Sequence, residues 1–405
     1  MIEKQKSPMI ELLTSRNFWI AFLIQIVYTI GNVCVKQTVT LQASDLGLSA
    51  SVIGVIASCY TIMAMVCRTP FGKAMDRLDK KKVLMFTFAA RAVVFVGFGL
   101  CKSVPLFIVL RFLHGAFFGM GHIAMMIVLA SGGNRKSLGA ALGLLTLLPK
   151  LISSYTTKLA LAICDSVGTY AACYAGAVCN VICIVLCLAL VFNEMPAPTT
   201  KEKRAQGIKG YMNYRAVPLI LICTFVSVPS LFVDNFMVLY GKAVPAVADM
   251  ARSYLTGYMW WMGIGAFVAG YAFDRFGFKL TTYPCIIMSI AAQVILGLST
   301  DPTPLTVSYV LCGLACGGIS VTVRTHAVNE SPVSVAALTI ATTGLFQDLS
   351  SLLGSSLGGF MIDGLGYTTT FRLVTLFPAV ALIMMFFYKP IIACLKGETV
   401  AAEVK

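Results

Sequence analysis

Twelve apolar stretches, each near the length that crosses a bilayer, fill almost the whole of this 405-residue chain. They centre near Ile26, Ile62, Val94, Phe118, Leu148, Ile182, Cys223, Gly263, Met288, Gly313, Gly344 and Pro378. A spanning helix needs roughly 20 mostly apolar residues, so these stretches leave little chain for a soluble domain. A soluble domain carries about 25% charged residues, against 12% here beside 58% hydrophobic. The expected fold is an all-α polytopic membrane protein with twelve transmembrane helices.

The formal net charge of +14 does not point to nucleic acid, because the basic residues cluster in alternate loops. Lys4, Lys6 and Arg16 precede stretch 1; Arg77, Lys80, Lys81 and Lys82 follow stretch 2; Arg135 and Lys136 follow stretch 4. Lys201, Lys203, Arg204 and Lys209 lie between stretches 6 and 7, and Arg275 and Lys279 after stretch 8. The opposite loops carry Asp45, Asp165, Asp301 and Asp363, with Lys102, Lys242 and Arg252 as exceptions. By the positive-inside rule both termini are expected in the cytoplasm of a multi-pass plasma-membrane protein. The long first stretch lacks a small-residue cleavage site and reads as a span, not a signal peptide. The fourteen cysteines sit almost all inside apolar stretches and read as core packing. No cofactor or metal site is expected, because Cys312 and Cys316 have no histidine or carboxylate ligands near them in sequence.

The two halves of the chain repeat. Gly72-Lys73-Ala74-Met75-Asp76-Arg77 recurs as Gly270-Tyr271-Ala272-Phe273-Asp274-Arg275, with the aspartates, at positions 76 and 274, 198 residues apart. The same shift carries Gly115 and Gly119 onto Gly313 and Gly317, pairs suited to close helix packing. It also carries Asp165-x-x-Gly168 onto Asp363-x-x-Gly366. Parallel repeats of six helices imply two bundles related by an axis along the membrane normal. The expected organisation is a cytoplasmic N-terminus (1–16), a six-helix bundle (17–192), a linker (193–214), a second bundle (215–390) and a tail (391–405).

With these motifs the chain resembles the major facilitator superfamily over essentially its full length. The loop signature is matched by Gly72, Asp76, Arg77, Lys80 and Lys81, while Asp79 replaces its second glycine. The second copy keeps Gly270, Asp274, Arg275 and Gly277 but has Phe278 where a base is common. Arg111-Phe112-Leu113-His114-Gly115 is similar to a further family signature, whose arginine faces the central cavity. The resemblance implies a transporter fold in which the loop clusters, Asp76 with Arg77 above all, lock the inner face. Residue by residue, Asp76 suits a helix N-terminus, and the bases suit acidic partners or lipid phosphates.

Polar residues recur at helical spacing on several stretches. Gln25, Thr29, Asn32 and Lys36 share one face of stretch 1. Their counterparts are Cys223, Ser227, Ser230 and Asp234 on stretch 7. Thr146, Lys150, Ser153 and Thr157 on stretch 5 correspond to Gly344, Asp348, Ser351 and Ser355 on stretch 11, with Gln347 beside them. Charges inside a membrane are functional candidates by default, so Lys36, Lys150 and Arg111 face Asp234 and Asp348 as opposite signs on two walls. They act either as gating pairs between the bundles or in solute binding and proton coupling, and the sequence leaves both open. Among the aromatic residues Tyr254, Tyr258, Trp260 and Trp261 of stretch 8, one ring suits the cavity. His114 and His122 read as packing residues, and His326 as solvated.

The function expected is secondary active transport of a small polar or charged organic solute, an anion or zwitterion, by alternating access. A coupling proton or counter-solute is a further expected partner, and a monomer suffices. The first alternative is a proton-coupled drug or metabolite exporter. Stretch 5 holds Gly139, Gly143 and Pro149 but not the full antiporter signature. A transporter-like solute sensor is the alternative of another class. Enzyme activity is not expected, for want of a nucleophile–base or metal-ligand constellation.

Overall fold

A computed structural model describes residues 16–74, 79–131, 138–190, 212–331 and 336–396. Side chains at 68–74, 126–131 and 138–150 are among those outside the description. The first half runs α1 (Arg16–Asp45), α2 (Ala50–Ala74), α3 (Lys80–Leu100), α4 (Val104–Ser131), α5 (Leu138–Ser166) and α6 (Thr169–Leu188). The second begins with α7 (Val217–Ala243). The helix Ala248–Leu298 is broken at Gly277, whose φ of 77° no L side chain adopts comfortably, and so supplies α8 (248–276) and α9 (278–298). Next come α10 (Pro302–Asn329) and α11 (Ala336–Leu365), and then α12, formed by Tyr367–Leu373 and Leu376–Lys396. No strand occurs among the described residues.

Nine helical stretches among the described residues are long and apolar enough to cross a bilayer, the paired α8 and α9 counting as one. Large apolar side chains such as Val93 and Phe267, each 72% exposed, cover the outside. That surface suits lipid and would be an aggregation hazard in water. The chain is a multi-pass membrane protein.

The chain clusters into two units. In the first, α1 packs on α4, α5 and α6, and α3 on α4 and α6. Its core gathers Phe18, Ile24, Tyr28, Leu84, Phe88 and Cys183. In the second, α7 packs on α8, α10, α11 and α12, around Ile220, Val226, Ile286, Ile319 and Met385. The short segment Ser49–Gly54 clusters with this second unit. There the Asp363 carboxylate accepts the backbone N–H groups of Ala50 at 3.0 Å and Ser51 at 2.8 Å, orphan donors of a helix start.

The 198-residue register holds at the level of atoms. A Cβ on Gly115 or Gly119 would strike the carbonyls of Tyr60 and Ala64; one on Gly313 or Gly317 would strike those of Tyr258 and Met262. Tyr258 and Met262 are the residues that the shift assigns to Tyr60 and Ala64, so α4 crosses α2 as α10 crosses α8. The repeated D-x-x-G pattern has a backbone reason: Gly168 (φ 117°) and Gly366 (φ 77°) each turn the chain out of one helix and into the next. The described cysteines form no disulfide with one another, and eight of the thirteen are buried, as core packing requires.

Candidate functional site

In the first unit a buried polar network joins α1, α2, α3 and α4. Arg111 and His114 lie one turn apart on α4, 3% and 1% exposed. Arg111 Nη1 stands 3.4 Å from His114 Nδ1, and His114 Nε2 stands 3.3 Å from Asn32 Oδ1. Arginine can only donate, so Nδ1 accepts and the ring carries its proton on Nε2, which donates to Asn32. Arg91 of α3, with no solvent exposure, donates from Nη2 to the same Asn32 oxygen at 3.0 Å. Its guanidinium lies 4.2 Å from the Tyr28 ring centre, and that of Arg111 lies 4.6 Å from the Tyr60 ring. Cation–π contact offsets part of the cost of burying these charges. His114 is thus a hinge of the network, boxed in by Tyr60 and Phe95 at 4.8 Å each.

The second unit holds an acid and a small cavity. Tyr258 of α8, 3% exposed, donates its hydroxyl to Asp234 Oδ1 of α7. A cavity of about 30 Å³, room for a water molecule, lies among α7, α10 and α11. Cys223, Ser227, Arg324, Thr343 and Gln347 give it polar groups. Ser320 and Ser350 also line it, yet their hydroxyls donate to the Gly317 and Phe346 carbonyls of their own helices.

The candidate residues therefore fall into separate places. Asn32 and Arg111 meet in the first-unit network; Gln347 lines the second-unit cavity, while Asp234 and Asp348 do not. Gln25 is half-buried and reaches along its own helix to Thr29 Oγ1 at 3.5 Å. Lys36 is half-buried on α1. The Lys150 side chain, Asp76 and Arg77 lie outside the described residues, and Gly72 is described only as helical backbone of α2. In the second loop copy Asp274 is exposed, and Arg275 points to the Tyr271 hydroxyl at 3.5 Å. Gly270 lies near Val321 with a Cβ allowance of 3.7 Å.

One expectation needs correction. His326 is half-buried and not freely solvated: its ring stacks on Phe278 at 4.0 Å, where α9 follows the Gly277 break. The Lys81 ammonium donates to the carbonyls of Leu188 (3.0 Å) and Leu190 (2.9 Å), capping the end of α6. Asp79, where the loop signature has glycine, accepts the backbone N–H groups of Lys81 and Lys82 as N-cap of α3. Those hydrogen bonds, that of Lys82 foremost, hold its carboxyl below the usual range.

Sequence reasoning missed Arg91, Tyr60 and Arg324. Arg91 and Arg324 were open to the rule that intramembrane charge is functional. Tyr60 is the counterpart of Tyr258 under the 198-residue shift.

The chain belongs to the Major Facilitator Superfamily, whose family model matches residues 18–246 and 246–393. A bacterial homologue of the human lysosomal transporter Spinster, solved in an inward-facing and occupied conformation, superposes with a TM-score of 0.73. It shares 15% identity, over 95% of this chain and 98% of that one. The nucleoside transporter NupG superposes with a TM-score of 0.66 at 14% identity, over 93% of this chain and 98% of that one. At these identities the likeness shows the fold alone. A search of curated protein sequences returns no match.

Proposed function

We propose that the protein is a secondary active transporter that moves a small polar or charged organic solute, an anion or zwitterion, across the plasma membrane. Alternating access between the two bundles carries the solute, with a proton or counter-solute as coupling partner and the monomer as working unit. Family membership supports transport. The observation that carries the finer reading is the buried Arg111–His114–Asn32 network, polar recognition chemistry inside an apolar bundle. Lys36 with Asp234, and Lys150 with Asp348, are proposed as charge-complementary positions of the duplicated framework. Gly72, Asp76 and Arg77, with Gly270, Asp274 and Arg275, are proposed as the gating loops, and Gln25 and Gln347 as polar contacts to solute.

Counterflow into proteoliposomes tests this reading. Purified protein loaded with an unlabelled charged metabolite should accumulate the labelled form against empty-liposome controls. Binding without counterflow for every bound metabolite would favour the solute-sensor alternative.

A further inference from the structure

We propose that Arg91 and Arg111 form a two-guanidinium subsite for a single oxyanionic group, a carboxylate or phosphoryl group, of the solute. This deepens the transport reading and rests on it only for the claim that the bound anion is cargo.

Both guanidiniums are permanently charged and essentially shut off from solvent. Such a charge normally persists inside a protein only beside an opposite charge with its N–H groups satisfied. Neither arginine has an acidic partner among the described residues. Three donors, Arg91 Nε and Nη1 and Arg111 Nε, meet no acceptor at all. Asn32 and His114 link the two arginines, and Asn32 Oδ1 already takes donors from Arg91 and His114. The shared Asn32 oxygen is therefore committed, and the surplus is two positive charges with three donor nitrogens.

An oxyanion supplies what is missing: negative charge and several lone pairs, matched to the planar fork of arginine. A cation or a neutral donor would worsen both deficits. Water satisfies N–H groups but leaves the charge. The Tyr28 and Tyr60 faces stabilise the cations without consuming their N–H groups, which fits a site that must release its ligand. Asn32 and Tyr60, both partly exposed, form the cover through which the group enters.

The test is binding by the full-length protein in detergent, read by thermal shift and then calorimetry. The probes are sodium acetate, sodium benzoate and inorganic phosphate, with benzamide as uncharged control and chloride at matched ionic strength. Acetate or benzoate stabilisation identifies a carboxylate site, and stabilisation by phosphate alone identifies a phosphoryl site. Benzamide should do nothing. Arg91→Met removes an uncompensated buried charge at similar length, so this variant should melt no lower than wild type without ligand yet lose the anion shift. Arg91→Lys keeps charge but loses the fork and should weaken binding about tenfold or more; it serves as well if the methionine variant does not fold. No stabilisation of wild type by any oxyanion overturns the proposal, as does wild-type affinity in either folded variant. Oxyanion binding without counterflow would overturn the cargo reading and leave the subsite standing.

Discussion

Tyr258 shows how one side chain changes the meaning of another. Its hydroxyl donates to Asp234 in a nearly dry setting, which gives the carboxylate a fixed partner and holds its rotamer. Tyr258→Phe should leave the fold intact, because the ring stays, and should weaken any activity that needs an oriented carboxylate by about tenfold. Unchanged flux across pH in that variant would reduce the tyrosine to packing. Asp79 makes a second residue-scale case. Its lowered folded-state pKa means that its capping stabilises the start of α3 above the unfolded value, about 3.9. The stabilisation is lost as pH falls through the lower folded value. Hydrogen-exchange protection at residues 81–83, taken relative to the intrinsic exchange rate at each pH, should therefore fall in acid. Asp79→Ala should show that loosening at neutral pH, worth about 1 kcal/mol, whereas Asp79→Asn should keep the cap and lose the pH response. An aspartate in a glycine position looks like a defect in a motif; as an N-cap it has a local physical purpose that spacing to α3 already implies.

At the scale of the helix, the small-residue pairs are where sequence and structure agree most closely. Gly115 and Gly119 lay α4 against backbone carbonyls of α2, and Gly313 and Gly317 do the same for α10 on α8. No side-chain rearrangement relieves a clash with a carbonyl, so Gly119→Val should cost at least the roughly 1–3 kcal/mol of an overpacked core. Gly317→Val should match it. Gly344 and Gly364 have open space at the Cβ position, and alanine there should be neutral or stabilising by up to about 1 kcal/mol. Thermal melting in detergent separates the two classes; equal melting points would mean that the crossings tolerate a wider separation. Hydropathy and the 198-residue interval make these elements legible because both are one-dimensional signals. The polar network is less so. Asn32 and Arg111 lie on stripes that a helical period exposes, whereas Arg91 stands alone on α3 among aliphatic and aromatic neighbours. Its importance comes from three dimensions, where it and His114 converge on one amide oxygen.

For the whole molecule, duplication supplies two bundles whose buried polar chemistry differs. The first unit buries arginines against rings and an amide; the second buries a tyrosine against an acid. If the halves work as a rocking pair, Asp76 controls the conformational equilibrium and not recognition. Asp76→Asn should then slow flux strongly while solute affinity stays within a few-fold, and unchanged flux would count against a gate. The charge positions Lys36/Asp234 and Lys150/Asp348 bear on the same mechanism. Neutralising one member leaves an uncompensated ion, typically costing several kcal/mol in or near a membrane, so each single neutral variant should lose activity. The matching double variant should regain folding. If the pair is direct, exchanging its charges should restore more flux than neutralising both. If the two residues instead hold opposite ends of a zwitterion, the double variants should fold and bind nothing. Double-mutant cycles on stability and affinity decide between these. A coupling near zero in both cycles, with affinity intact, would make the matched spacing a relic of duplication and leave the buried arginines as the centre of recognition.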